Sequence, residues 1–396
     1  MYLVIDVGGT FIKHCVMDRD AEIMEKNKFP TPGRFGNGLE NIQQGLDAFL
    51  DALQSIYDGY KERYDIQGIA ISLPGQVDVD NGICYAGGAL PYLDKAHIGE
   101  LVSERCDGLK VALENDGKCA ALSEIWQGNA KDYSSAVVLV FGTGVGGGIV
   151  IDRKILHGRG MVAGEMSYLF EDVNRDNIDK LVPLEANLKN TKKHLKLPDN
   201  VTWTMQASVS SLRREVAAVK GMREDEVSGE MIYEWEAAGD KAVIDVLEDW
   251  YLNIAKHCMN MHVLLAPDII LLGGGISAEP RFIQGVKKYV DKLAKFSVIY
   301  NEMQVGLCKF GNDSNLRLAS VFLPPLVPHS NAPIHPGVTA ALSSSASGPA
   351  FHSLLSAWMP HLRFLLRSLH HLPRFSPPVC GTSSCATGYI APTPAE

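Results

Sequence analysis

One pattern occurs twice in this chain: an apolar run, a glycine-threonine turn, a second apolar run and an Asp-Arg pair. Its first copy is Leu3-Val4-Ile5-Asp6-Val7, the turn Gly8-Gly9-Thr10, an extended stretch from Phe11 to Met17, and Asp18-Arg19. Its second is Ala136 to Phe141, the turn Gly142-Thr143-Gly144-Val145-Gly146-Gly147-Gly148, the return Ile149-Val150-Ile151, and Asp152-Arg153. Each copy reads as a β-hairpin. The glycine tip of such a hairpin turns backbone N–H groups toward one point, which suits an anion such as phosphate. Two copies look like an internal duplication, and two domains are expected. The length agrees, because 396 residues exceed what one hydrophobic core usually organises.

Between the hairpins, an apolar run from Leu109 to Leu113 stops at Glu114-Asn115-Asp116, and a helical pattern begins at once (Cys119, Leu122, Ile125, Trp126). A carboxylate is thereby placed at a strand end, on the first turn of a helix. Open α/β sheets hold their ligands just outside such strand ends. Asp is also a preferred helix cap. With a phosphate-type turn on either side in the chain, Asp116 is read instead as the general base of a phosphoryl transfer. Asp6, at the mouth of the first tip, is placed to hold Mg²⁺ through water; the alternative there is an ordinary hairpin turn.

The remaining segments fit around these points. Ala21 to Phe29 is predicted as a third strand, Leu39 to Tyr60 as a long amphipathic helix, and Ile66 to Leu73 as a strand broken by Pro74-Gly75. Gln76-Val77-Asp78 and Gly87-Gly88-Ala89-Leu90-Pro91-Tyr92-Leu93 read as loops on the same side as Asp116. The run Gly142-x-Gly144-x-x-Gly147 matches a dinucleotide-binding fingerprint, but that fingerprint needs a helix directly after the glycines. A short apolar run and a turn follow instead, so the reading is set aside. Glu165, after His157-Gly158 and Ala163-Gly164, is a candidate for sugar hydroxyls, or else a surface acid. Helices are expected over Gln206–Lys220, Ser228–Ala238, Asp240–Leu265 and Glu279–Ala294, and Glu171 to Asn200 reads as loop with short helices. The strand Pro267 to Leu272 ends in Gly273-Gly274-Gly275, a flat backbone surface for an adenine or ribose. Gln304 to Leu307 is the last expected strand.

Taken together these motifs resemble the ROK family of sugar kinases, within the actin-like and hexokinase superfamily. The matching runs are Asp6-x-Gly8-Gly9-Thr10-x-x-Lys13, Pro74-Gly75 with Val77-Asp78, Glu114-Asn115-Asp116, the glycine turn from Gly142, Gly164-Glu165, and Gly273-Gly274-Gly275. The resemblance covers residues 1 to 316. It implies an α/β fold of two RNase H-like (actin-like ATPase) domains with a cleft between them, residues 1–118 and 119–300, with 301–316 returning to the first. It implies ATP and Mg²⁺ as cofactors. Asp6, Gly8, Gly9, Thr10, Lys13, Gly142, Thr143, Gly144, Gly274 and Gly275 would surround the nucleotide, and Gly75, Asn115, Asp116, Glu165 and Tyr168 the sugar. A cytoplasmic homodimer is also implied.

Two departures matter. The family's Gly-Glu-x-Gly-His has Ser167 and Tyr168 at its last two positions, and its cysteine cluster is absent. Structural zinc needs four N or S ligands at suitable spacing, so no zinc site is expected. Tyr168 and Gln206 are the candidates to stand in for the missing sugar contacts. The pattern resembles the zinc-free branch that includes bacterial beta-glucoside kinases, whose substrate is the 6-hydroxyl of a glucoside; a glucokinase or N-acetylmannosamine kinase is the alternative. The second departure is the tail. From Arg317 onward there is no Lys, no Asp and one Glu (Glu396), with crowded prolines and histidines, so residues 317–396 read as low complexity and as a frameshifted or read-through end.

Charge and composition exclude other classes. A formal charge of −9 argues against nucleic-acid or membrane-surface partners. No apolar run reaches membrane-spanning length. The start has no basic n-region, so no signal peptide is expected, and the eight scattered cysteines read as reduced thiols. A repressor of the same family would need a DNA-binding segment ahead of the first hairpin, which begins at residue 3. A non-catalytic sugar sensor is the other alternative.

Overall fold

In the computed structural model, residues 1–20, 22–33, 42–88, 90–178 and 201–311 are described. Tyr2–Val7 (β1) is buried along its whole length, as expected of a central strand covered on both faces. It pairs antiparallel with Phe11–Met17 (β2), which pairs antiparallel with Ile23–Pro30 (β3). On its other side β1 runs parallel to Ile69–Leu73 (β4). The intervening helix, Ile42–Lys61 (α1), lays Phe49, Leu53, Ile56 and Tyr57 against Leu3, Ile5 and Ile12. The predicted start of this helix at Leu39 lies outside the described residues, as does Ala89.

Gln76–Asp78 (β5) and Ile83–Ala86 (β6) form a small hairpin where a loop was expected. Val77 is buried, and Asp78 ties the turn by accepting from the N–H groups of Asp80 and Asn81. A strand of three residues has too little periodicity to be read from sequence. Ile98–Arg105 (α2) then leads to Val111–Asn115 (β7), parallel to β4. The first sheet therefore has the order β3-β2-β1-β4-β7.

Asp116–Trp126 (α3) carries the chain to the second sheet, packing Cys119, Ala121, Leu122 and Ile125 with Val138 and Val150. Ala136–Phe141 (β8), Val145–Ile151 (β9) and Lys154–Ile155 (β10) form an antiparallel meander. Thr204–Ala207 (α4), Val209–Lys220 (α5), Gly229–Ala237 (α6) and Lys241–Leu265 (α7) follow, then Ile269–Gly273 (β11), parallel to β8. Pro280–Ala294 (α8) leads to Val305–Leu307 (β12), parallel to β11. The order β10-β9-β8-β11-β12 repeats that of the first sheet, three antiparallel strands and then two parallel ones. This is the duplication that the two glycine hairpins announced.

Two further differences have local causes. The helix expected over 206–220 is broken at Ser208, whose backbone is extended and whose side chain caps the new helix by accepting from Ser211 N–H. Residues 301–311 stay with the second sheet through β12; the rest of the expected return to the first half, 312–316, lies outside the described residues, as do the 317–396 tail and most of the 171–200 loop. Among the described residues no helix is long and apolar enough to cross a membrane.

Candidate active site

Strands β4 and β7 end level with each other, Leu73 opposite Asn115, which sets Gly75 beside the start of α3. Asn115, not Asp116, is the cap of that helix: its side chain accepts from Lys118 N–H at 3.0 Å. Its amide also donates to Gly75 O at 2.8 Å. Gly75 has φ +88°, and a Cβ there would fall 1.9 Å from Ala86 O, so only glycine fits this turn. With capping assigned to its neighbour, Asp116 is left facing the strand ends. It is half-buried, and its Oδ1 accepts from Gly117 N–H at 2.8 Å. Burial first, and then the charge of Asp6, push its pKa from 3.8 up to about 6; Glu165 adds to the rise, while the Gly117 N–H and Lys118 oppose it. A carboxylate of this basicity suits proton abstraction near neutral pH.

The first hairpin closes tightly, Gly8 N–H donating to Phe11 O at 3.1 Å, with Thr10 exposed at the tip. Thr31 fastens it from β3's end, its hydroxyl donating to Gly8 O at 2.6 Å. Register places Lys13 opposite Asp6, and their charged atoms lie 3.4 Å apart. Ser72 at the end of β4 donates to the other Asp6 oxygen at 3.2 Å.

The second hairpin abuts a cavity of about 770 Å³ whose walls include Gly142, Thr143, Arg213, Tyr233, Gly275 and Glu279. Gly142 is held in a tight turn, donating to Gly144 O at 2.9 Å and accepting from Val209 N–H at 2.9 Å. Gly274, just past β11, has φ +94°, and a Cβ there would meet Phe141 O at 2.1 Å. Gly274→Ala is therefore expected to cost about 1–3 kcal/mol in urea unfolding, and an unchanged unfolding midpoint would disprove this packing. The later glycines of the hairpin serve the helix instead: a Cβ on Gly117 would lie 2.5 Å from Gly147 N, and one on Gly148 would lie 2.6 Å from Ala121 Cβ.

Glu165 is brought to Asp116 by a partner that sequence reading missed. Lys118 on α3, its side chain only 2% exposed, places Nζ 2.5 Å from Glu165 Oε1. The signal was present: Lys118 shares the apolar helical face of Ala121, Leu122 and Ile125, an unusual place for a lysine unless paired. Tyr168 stands 59% exposed three residues beyond Glu165. Gln206 donates to Asp172 and accepts from Asn253. A second unanticipated pair joins the fully buried Glu114 to His157, whose Nε2 lies 2.8 Å from Glu114 Oε2. Beside it, the Gln76 amide donates to Gly160 O, linking the β5 hairpin to the same loop. Among the described residues no group of three or more His, Cys, Asp and Glu side chains is arranged around a metal position.

The chain as a whole is similar to known sugar kinases. A beta-glucoside kinase from Listeria monocytogenes is 30% identical over 286 residues, 72% of this chain and 86% of the relative. A glucokinase from Halalkalibacterium halodurans is 27% identical over 323 residues, 80% of this chain and 92% of the relative. The crystal structure of a ROK family protein from Streptococcus pneumoniae in complex with sucrose aligns with TM-score 0.64 and 30% identity, covering 81% of this chain and 97% of that one. The twin sheets are thus those of the actin-like ATPase fold. The ROK family pattern itself matches residues 2–323, and the chain belongs to the ROK family.

Proposed function

We propose that this chain is an ATP-dependent sugar kinase that phosphorylates the 6-hydroxyl of a β-glucoside or hexose. One observation carries the reading: a carboxylate of raised basicity, Asp116, stands at a strand end beside Asp6 of the first glycine hairpin, with the second hairpin packed on its helix. The named relatives, a beta-glucoside kinase and a glucokinase, support carbohydrate kinase chemistry.

The residues present suit the nucleotide. Gly142, Thr143 and Gly275 line one large cavity, and the backbone at Gly274 leaves no room for a side chain. When bound there, ATP supplies the phosphoryl group to be transferred. Asp6 offers hard oxygen donors for Mg²⁺, and its repulsion of Asp116 is what a cation between them would relieve. Asp116 takes the proton of the acceptor hydroxyl, whose oxygen is held by the turn carrying Glu165. Asn115 fixes the start of α3, so the base is aimed by a capped helix rather than by a free loop. Transfers of this kind depend mainly on such positioning and on charge stabilisation.

The test is ATP-dependent ADP release with Mg²⁺ against cellobiose, a methyl β-glucoside, glucose, mannose and N-acetylmannosamine. Preference for the glucosides supports the full reading. Turnover of glucose alone keeps the chemistry and removes the glucoside, and no turnover on any sugar refutes the kinase. A pH profile adds an independent expectation. Because the free base must be ionised, kcat/KM should rise through about pH 6 and level off above it; a profile flat from pH 5 to 8 would exclude Asp116 as the titrating base.

A further inference from the structure

The segment carrying Glu165 and Tyr168 is fastened at its far end by a buried cluster that plays no part in the chemistry above. Glu171 is 6% exposed at its side chain, and its carboxylate meets two residues of α7: the His257 ring, which is 9% exposed, and Lys256 Nζ at 2.9 Å. Facing a carboxylate, His257 Nε2 must carry the proton and donate it. The His257 ring lies against Trp203 with centroids 4.3 Å apart and planes 31° apart. Trp203 in turn donates from its backbone to Leu169 O at 2.7 Å and from its indole to Asn253 Oδ1 at 2.7 Å. Asn253 donates to Gln206, and Gln206 to Asp172. Asn253, Lys256 and His257 share one face of α7, three and four residues apart. The adjoining face of that helix is core, with Trp250, Tyr251, Ile254 and Cys258 buried.

Consequently the run from Glu165 to Glu171 is tied at both ends by buried side chains, through an ion pair to Lys118 on α3 and a hydrogen bond from His257 on α7, and exposed Tyr168 lies between them. We infer that Glu171 and His257 are positioning residues for the acceptor sugar, holding the Glu165–Tyr168 turn in place from the rigid face of α7. The inference rests on the proposed sugar site for its kinetic consequence but not for its structural one. The nucleotide side is built on Gly142, Thr143 and Gly275; Phe141 of that cavity stands edge-on to Trp203, ring centroids 6.1 Å apart, so the effect there should be much smaller than on the acceptor sugar.

The experiment compares Glu171→Ala with Glu171→Gln, which keeps an oxygen to accept from His257. Glu171→Ala is expected to raise KM for the acceptor sugar by about 10- to 100-fold, a misplacement effect, while KM for ATP stays within about twofold. Glu171→Gln should recover most of the loss. Hydrogen exchange followed by mass spectrometry, which needs no substrate, should detect faster exchange over residues 165–172 in Glu171→Ala, with β8 and β9 unchanged. If Glu171→Ala does not fold, His257→Gln, which retains an N–H donor, is compared with His257→Leu in the same two measurements. A lower melting temperature with both KM values and the 165–172 exchange unchanged would reduce the cluster to a structural role and overturn the inference. If the parent protein turns over no sugar, the kinase reading fails, and the exchange measurement alone decides the anchor.

Discussion

Asp116→Asn should lower kcat by roughly 10² to 10⁴ with KM for both substrates little changed, because only the proton-accepting step is lost. The same substitution should make the protein more stable at neutral pH. Burial and the charge of Asp6 hold the folded pKa near 6 against 3.8 for the free group. Ionising Asp116 therefore costs folding free energy, fully above pH 6 and not at all below the unfolded value. Replacing it with a neutral side chain of the same shape removes that cost, about 1–3 kcal/mol at pH 7.5. The gain should shrink as pH falls from 6 toward 4. Kinetics and thermal melts of the one variant at pH 7.5 and 4.5 check both halves. Near-normal kcat would mean that another group accepts the proton, and equal stability gains at both pH values would mean that Asp116 is not strained by its charge.

Glu165→Ala should be among the most destabilising single changes in the chain. It leaves Lys118, 2% exposed, as a buried cation without its partner, and breaking such a pair typically costs about 3–5 kcal/mol. Lys118→Met should be milder, since the thioether fills the lysine's volume and Glu165, 20% exposed at its side chain, retains some contact with water. Combining Lys118→Met with Glu165→Gln removes both charges and should restore most of the lost stability. Urea unfolding of the two single variants and the double variant gives the coupling directly. A loss below about 1 kcal/mol for Glu165→Ala would place the pair in the weak class of solvent-exposed salt bridges.

These two sites differ in how far they could be read from sequence. The hairpins and the glycine triplet were legible because their information is local: apolar alternation, a turn residue and a return strand within twenty positions. Asp116 was legible as a strand-end acid, but which of two adjacent residues capped α3 depended on backbone geometry, and Asn115 took that place. The partners were not legible. Lys118 and Glu165 are 47 positions apart, and Glu171 and His257 are 86 apart. No local pattern links such pairs; they follow from how the loop after β10 folds back on α3 and α7. A lysine on the apolar face of α3 was the one visible trace. The β5 hairpin was missed for a different reason, since its strands are too short for periodicity to register.

The sheet orders carry a consequence for how the chain comes off the ribosome. Among the described residues, every strand of the first sheet lies within 2–115 and every strand of the second within 136–307, with none exchanged between them. The first half can therefore complete its sheet while the second is still being made, in the domain-by-domain manner of larger proteins, although buried Glu114 then still awaits His157. The second half cannot finish early. Glu124, fully buried at the end of α3, accepts from the backbone N–H groups of Lys309 and Phe310. Until those residues emerge, a carboxylate destined for the interior lacks two of its donors, so the nascent second half must wait for its final strand before that helix can be sealed.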